Sequence, residues 1–327
     1  MKDKVGASFF LVLCLCIQSG ASPLSRRGAG VEVKIPIRII DEQGLPIPYS
    51  QVLYSMSRGL ERYEYFQGTA DKDGCFSIAG STRQFLCYSA RHDGYYDSGF
   101  KVDCLNSSTP QNAYHSQTAK TMVLKKVGCT DEIVPYQYSN EVVIPKFDKW
   151  LSFDFERLDW LPPYGNGICQ DVLLRFLHTK GSNIWESATG MEVCFTNNQF
   201  AGAYLMKKDK WSRLKSEHHA STNKMYHSIL EFNRVSHFDW RTSSSNYLDD
   251  DHYLVFRTRT KVDEKGNLIG AHYGKIYGRW TSNNKVMLFS GGCFNTVENS
   301  TNIESDQEVL DYLKNQNRPI TIKTRVQ

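Results

Sequence analysis

The constraint that most narrows what this chain can fold into lies between Val31 and Ile78. Val31, Val33, Ile35, Ile37 and Ile39 alternate with Glu32, Lys34, Pro36 and Arg38, the period-2 pattern of a strand with one face in a core. Asp41-Glu42-Gln43-Gly44 then supplies a turn, Gly taking the positive φ that other residues avoid. Val52, Tyr54 and Met56 alternate again. Lys72-Asp73-Gly74 punctuates the runs Phe66–Ala70 and Cys75–Ile78 as a hairpin turn. Gln84–Ala90 and Thr121–Leu124 read as further strands. Short strands between turns predict a small antiparallel sandwich. Pro36 has no N–H to give a ladder, so the first strand is expected at a sheet edge.

These residues also carry a resemblance. Asp41, Gly44, Pro46 and Ile47, then Gly68, Thr69, Asp71, Gly74 and Phe76, then Ala90, Gly94 and Tyr95 resemble the carboxypeptidase regulatory-like, transthyretin-like modules of secreted proteins. The resemblance spans about the first third of the mature chain. It implies an Ig/transthyretin-like sandwich with an accessory role and no active site of its own.

At 327 residues the chain exceeds one typical domain, and two are expected. Lys2 and Lys4 precede the apolar run Phe9–Ile17, and Ser19-Gly20-Ala21 offers small residues for cleavage. Residues 1–21 therefore read as a secretory signal peptide. The run is shorter than the roughly 20 residues of a membrane span, and no second one follows. The expected location is secreted, periplasmic or cell-surface. A net charge of +4 gives no case for nucleic acid. The expected organisation is a first sandwich over 31–126, a linker over 127–146 and a larger jelly-roll-like β domain over 147–320. In that domain strands are expected at 150–155, 171–177, 191–195, 203–206, 228–232, 253–260, 269–280 and 286–289. One short helix is expected over 306–313.

Seven cysteines follow the signal segment, an odd number that precludes complete pairing. Cys104 and Cys129 bracket a polar loop and are the expected disulfide. Asp249, Asp250, Asp251 and His252 form the densest group of metal-capable side chains. Their oxygens would suit calcium, and a solvated turn would use the same residues. Glu217, His218 and His219 lack the His-Glu-x-x-His spacing of a zinc site. No nucleophile elbow or phosphate loop occurs. Asp154, Glu156 and Asp251 are the carboxylates a polysaccharide hydrolase would draw on, given a separation of roughly 5–9 Å across a sugar. Trp160, Tyr164, Trp211 and Trp240 sit among Gly, Pro and polar residues, where an aromatic face could stack on a sugar ring.

The sequence thus points first to an exported non-catalytic binding protein, its partner a carbohydrate or another protein, with no cofactor other than the calcium ion named above. A hydrolase and a structural part of an envelope assembly are the alternatives.

Overall fold

A computed structural model describes residues 30–59, 62–104, 113–116, 118–128, 133–136, 140–180, 187–236, 242–245, 251–278, 280–289 and 291–304. The signal segment, Cys129, Asp249, Asp250, Trp240 and the helix expected over 306–313 lie outside them. The protein is all-β, and no helix occurs among the described residues. Its strands form mainly antiparallel sheets that pack as β-sandwiches in two compact units. Described residues up to Val127, with Trp211–Arg213, make the first unit. Gly128–Lys210 and the described residues from Leu214 onward make the second.

The first unit contains β1 (Val31–Ile40), β2 (Gln51–Gly59), β3 (Arg62–Thr69), β4 (Cys75–Thr82), β5 (Phe85–Arg91), β6 (Ser98–Asp103), β7 (Ala113–His115) and β8 (Lys120–Val123). One sheet places β1 between β4 and the pair β7 and β8; the other runs β3-β2-β5-β6. The odd-numbered side chains of β1 are buried against Met56, Ile78, Leu86 and Met122, as the alternation requires. Both Asp-x-x-Gly turns use one device. Asp41 Oδ1 accepts the N–H groups of Gln43 and Leu45, and Asp71 Oδ1 those of Asp73 and Cys75. Gly44 and Gly74 close them at φ 84° and 71°.

The expectation that β1 is an edge strand is corrected. It is central, pairing antiparallel with β4 and parallel with β7 and β8. Lys34 and Ile40 accept from Ser116 and Leu124, so the even positions direct their backbone polar groups toward β7 and β8. Pro36 therefore points where β7 has ended and β8 has not begun, and its missing N–H costs no ladder bond.

The two turn glycines separate strain from clash. A Cβ on Gly44 meets nothing within 4 Å, whereas one on Gly74 falls 2.5 Å from Ile39 O. Gly44→Ala is expected to cost about 1 kcal/mol, the left-handed penalty alone. Gly74→Ala is expected to cost about 2–3 kcal/mol, read as a lower urea midpoint at unchanged slope.

The second unit contains β9 (Ile133–Tyr136), β10 (Asn140–Val143), β11 (Trp150–Asp154), β12 (Asp159–Trp160), β13 (Val172–Lys180), β14 (Ser187–Cys194), β15 (Gly202–Lys207), β16 (Ile229–Ser236), β17 (Thr242–Ser245), β18 (His252–Val262), β19 (Leu268–Tyr277), β20 (Trp280–Ser282), β21 (Val286–Phe289) and β22 (Gly292–Asn295). The sheets run β12-β11-β13-β14-β16-β17, β15-β18-β19-β22-β9 and β10-β21-β20. Phe153, Val172, Phe176 and Val193 of the first sheet meet Ala203, Leu254, Phe256 and Phe294 of the second in one core. Residues 127–146, expected as a linker, supply β9 and β10 instead. β9 pairs with β22 and β10 with β21. Their partners lie some 150 residues downstream, and local pattern cannot show such pairing.

Candidate binding face

Alternation along β11 turns Leu151 and Phe153 into the core and leaves Trp150 and Ser152 on the outer face. Antiparallel register then aligns one side chain from each of four neighbouring strands. Trp150 lies opposite Arg175 on β13, Arg175 opposite Glu192 on β14, and Glu192 opposite Glu231 on β16. Directly opposed residues on one face are within side-chain reach, and these interact. The Arg175 guanidinium carbon stands 5.0 Å from the centroid of the Trp150 ring, and the same guanidinium is ion-paired to Glu192. The hydrogen bond to Glu192 is the largest of the influences that raise the Arg175 pKa. Trp150 remains 42% exposed. An indole thus rests against a cation that an acid in turn holds.

The adjoining row is Ser152, Leu173, Cys194 and Ile229, with Ile229 61% exposed. Ser152 Oγ donates to Gln170 Oε1 at 2.7 Å, and Gln170 Nε2 to Thr196 Oγ1 at 2.9 Å. The face therefore combines an aromatic plate, a guanidinium, two carboxylates, an amide and an apolar strip. Such a surface can stack a ring and hydrogen-bond its substituents. Trp150 was legible as an outward residue from its spacing to Leu151 and Phe153; flanking Gly and Pro drew attention to other aromatics instead.

Those aromatics have varied fates. Trp160 is corrected as a ligand platform: it is 3% exposed, packs edge-on to Phe153 and Phe176, and donates Nε1–H to Val143 O at 2.7 Å. Tyr164 is 40% exposed on the turn after β12. Trp211 belongs to the first unit, stacked on Phe100 with centroids 4.9 Å apart. Trp240 lies outside the described residues.

Asp154 and Glu156 do meet, but around Arg259. The ladder between β18 and β19 slips after Thr258, and Arg259 takes φ 51°, a bulge that re-aims its side chain. Arg259 Nε and Nη2 grip Asp171 Oδ1 and Oδ2 at 2.9 and 3.1 Å. Nη2 also reaches Asp154 Oδ1 at 3.2 Å and Nη1 reaches Glu156 Oε2 at 2.5 Å. Asp154 further accepts the N–H groups of Glu156, Arg157, Ile168 and Cys169. With both oxygens filled and 1% exposure, Asp154 has no open side for a sugar. Burial raises the Asp171 pKa, partly countered by Arg259; burial lowers that of Arg259, but the hydrogen bonds and charge of Asp171 and the bond to Glu156 together outweigh it and leave Arg259 raised. This arrangement clamps backbone.

Asp251 is exposed and ion-paired to Lys210 at 3.1 Å. His252 opens β18 opposite Lys207. Asp249 lies outside the described residues, among which no group of three His, Cys, Asp or Glu side chains is placed to hold a metal. His218 Nδ1 bonds Glu304 Oε2 at 2.5 Å. Cys104 is buried, which pushes its thiol up to about 11; its expected partner Cys129 is outside the described residues.

No protein-family profile matches the chain, and no curated protein matches it. Among solved structures, 3-chlorocatechol 1,2-dioxygenase from Rhodococcus opacus is 11% identical at a TM-score of 0.25, over 32% of this chain and 63% of that one. Chlorocatechol 1,2-dioxygenase from Pseudomonas putida is 11% identical at 0.23, over 32% and 70%. The chain therefore spans less than two thirds of the first of these enzymes.

Proposed function

We propose that this is an exported, non-catalytic binding protein whose partner is a carbohydrate. The first unit serves as an accessory sandwich of the carboxypeptidase regulatory-like kind, and the second presents the binding face. The observation that carries this reading is the exposed Trp150 indole, fixed on rigid strand by Arg175 and Glu192. A sugar ring stacks on such a plate through its apolar face, while its hydroxyls accept from the guanidinium and donate to the carboxylates beside it. Of the carboxylates a hydrolase would draw on, Asp154 and Glu156 are engaged by Arg259 and Asp251 is paired with Lys210, which favours binding over turnover.

The purified protein is expected to be retarded in native gels cast with soluble polysaccharides, with no new reducing ends. Trp150→Ala is expected to weaken retention at least tenfold while leaving the thermal transition in place, because Trp150 lies outside the core. New reducing ends would make the protein a hydrolase. Failure to retard on any polysaccharide would remove the reading.

A further inference from the structure

The row of side chains has a direction, a length and a charge. Resting on the binding function proposed above, we infer that the face takes a neutral 1,4-linked pyranose chain. The chain lies across the strands, and about four rings fill the row from Trp150 to Glu231.

The direction follows from register. Trp150, Arg175, Glu192 and Glu231 are successive partners on β11, β13, β14 and β16, so the row is perpendicular to the strands. Neighbouring strands stand ~4.8 Å apart, and three intervals give a row of ~14 Å. One strand interval is close to the advance of one ring along an extended 1,4-linked chain, so rings and strands come into step. A chain running along the strands would leave Trp150 for the apolar row or the sheet edge after a single ring.

Charge sets the class of sugar. Arg175 is already matched by Glu192, and Glu231 adds a second, exposed carboxylate, leaving the row net negative. Carboxylates accept from sugar hydroxyls but repel uronates and sulfated sugars. Trp150 anchors one end by stacking. Glu231, the last acceptor, is met only by a fourth ring.

The test is calorimetric titration of the full protein with 1,4-linked gluco-, manno- and xylo-oligosaccharides of one to six units, and with galacturonate oligomers. Affinity is expected to rise about tenfold per ring up to four in at least one neutral series, then to change less than twofold. Galacturonate tetramers are expected to bind at least tenfold more weakly. In Glu231→Ala, an exposed substitution, the gain from trimer to tetramer is expected to vanish. Affinity still climbing from four to six rings, tighter binding of galacturonate, or an undiminished tetramer gain in Glu231→Ala would each overturn the inference. If Trp150→Ala still abolished polysaccharide retention in those cases, the binding function would stand without it. Binding of no carbohydrate at all would overturn both.

Discussion

Arg259→Met is expected to destabilise the second unit by about 3–5 kcal/mol at pH 7, through carboxylates left buried without their cation. Asp154 and Asp171 have side chains 2% and 0% exposed, and both depend on this guanidinium. Methionine retains the length and apolar stem of the side chain and removes only the fork, so cavity formation is a minor part of the loss. Its signature is the pH dependence. Asp171 has a folded pKa raised from 3.8, so the native state holds more proton than the unfolded chain in the interval just above that value. Stability from this group is therefore complete below pH 3.8 and is lost as pH rises through the folded value. Removing Arg259 takes away an influence that lowers the Asp171 pKa, which moves the window upward toward neutrality. The gap between wild type and variant should thus narrow as pH falls from 7 to 4. Urea melts followed by tryptophan fluorescence would show it; a pH-independent gap would mean that the loss is packing, not charge.

Arg259 also marks where sequence reading stops. Strands β13, β14, β18 and β19 were legible within a few residues, because their apolar periodicity is local. Asp154 and Glu156 stood out as acids on one strand. Nothing in the chain near residue 259 shows that a bulge turns that arginine onto them from about 100 residues away. The same limit hid β9, whose four residues include Pro135 and whose partner β22 is remote. Pro36 shows a different limit. The rule that proline avoids central strands concerns a missing hydrogen bond, and here the partner strand changes at that position, so no bond is lost. Trp150 needed only the alternation already visible in Leu151 and Phe153. The value of its position emerged from register, which set Arg175, Glu192 and Glu231 in line with it.

Phe155→Ala is expected to cost about 3–5 kcal/mol, the range for truncating a buried aromatic without collapse of its surroundings. Phe155 is fully buried and stacks on Phe256 with centroids 4.3 Å apart; Phe153 and Trp280 meet it edge-on at 5.8 and 6.1 Å. Those rings come from all three sheets of the unit, so nothing on one side can close the void alone. Its backbone extends the effect. Phe155 N–H donates to Asp171 Oδ2 at 2.8 Å, and Phe155 O accepts from Tyr136 at 2.8 Å. The ring that fills the core and the peptide that anchors the Arg259 cluster are thus one residue. A chain loosened by the cavity should hold Asp171 less firmly, and an Asp171 already deprived of Arg259 has less order left to lose. Phe155→Ala and Arg259→Met together should therefore cost less than the sum of their separate effects, by about 0.5–3 kcal/mol. Strict additivity in that cycle would mean that core and clamp are energetically separate, and that the Phe155 backbone is held by its neighbours in β11 rather than by the packing of its ring.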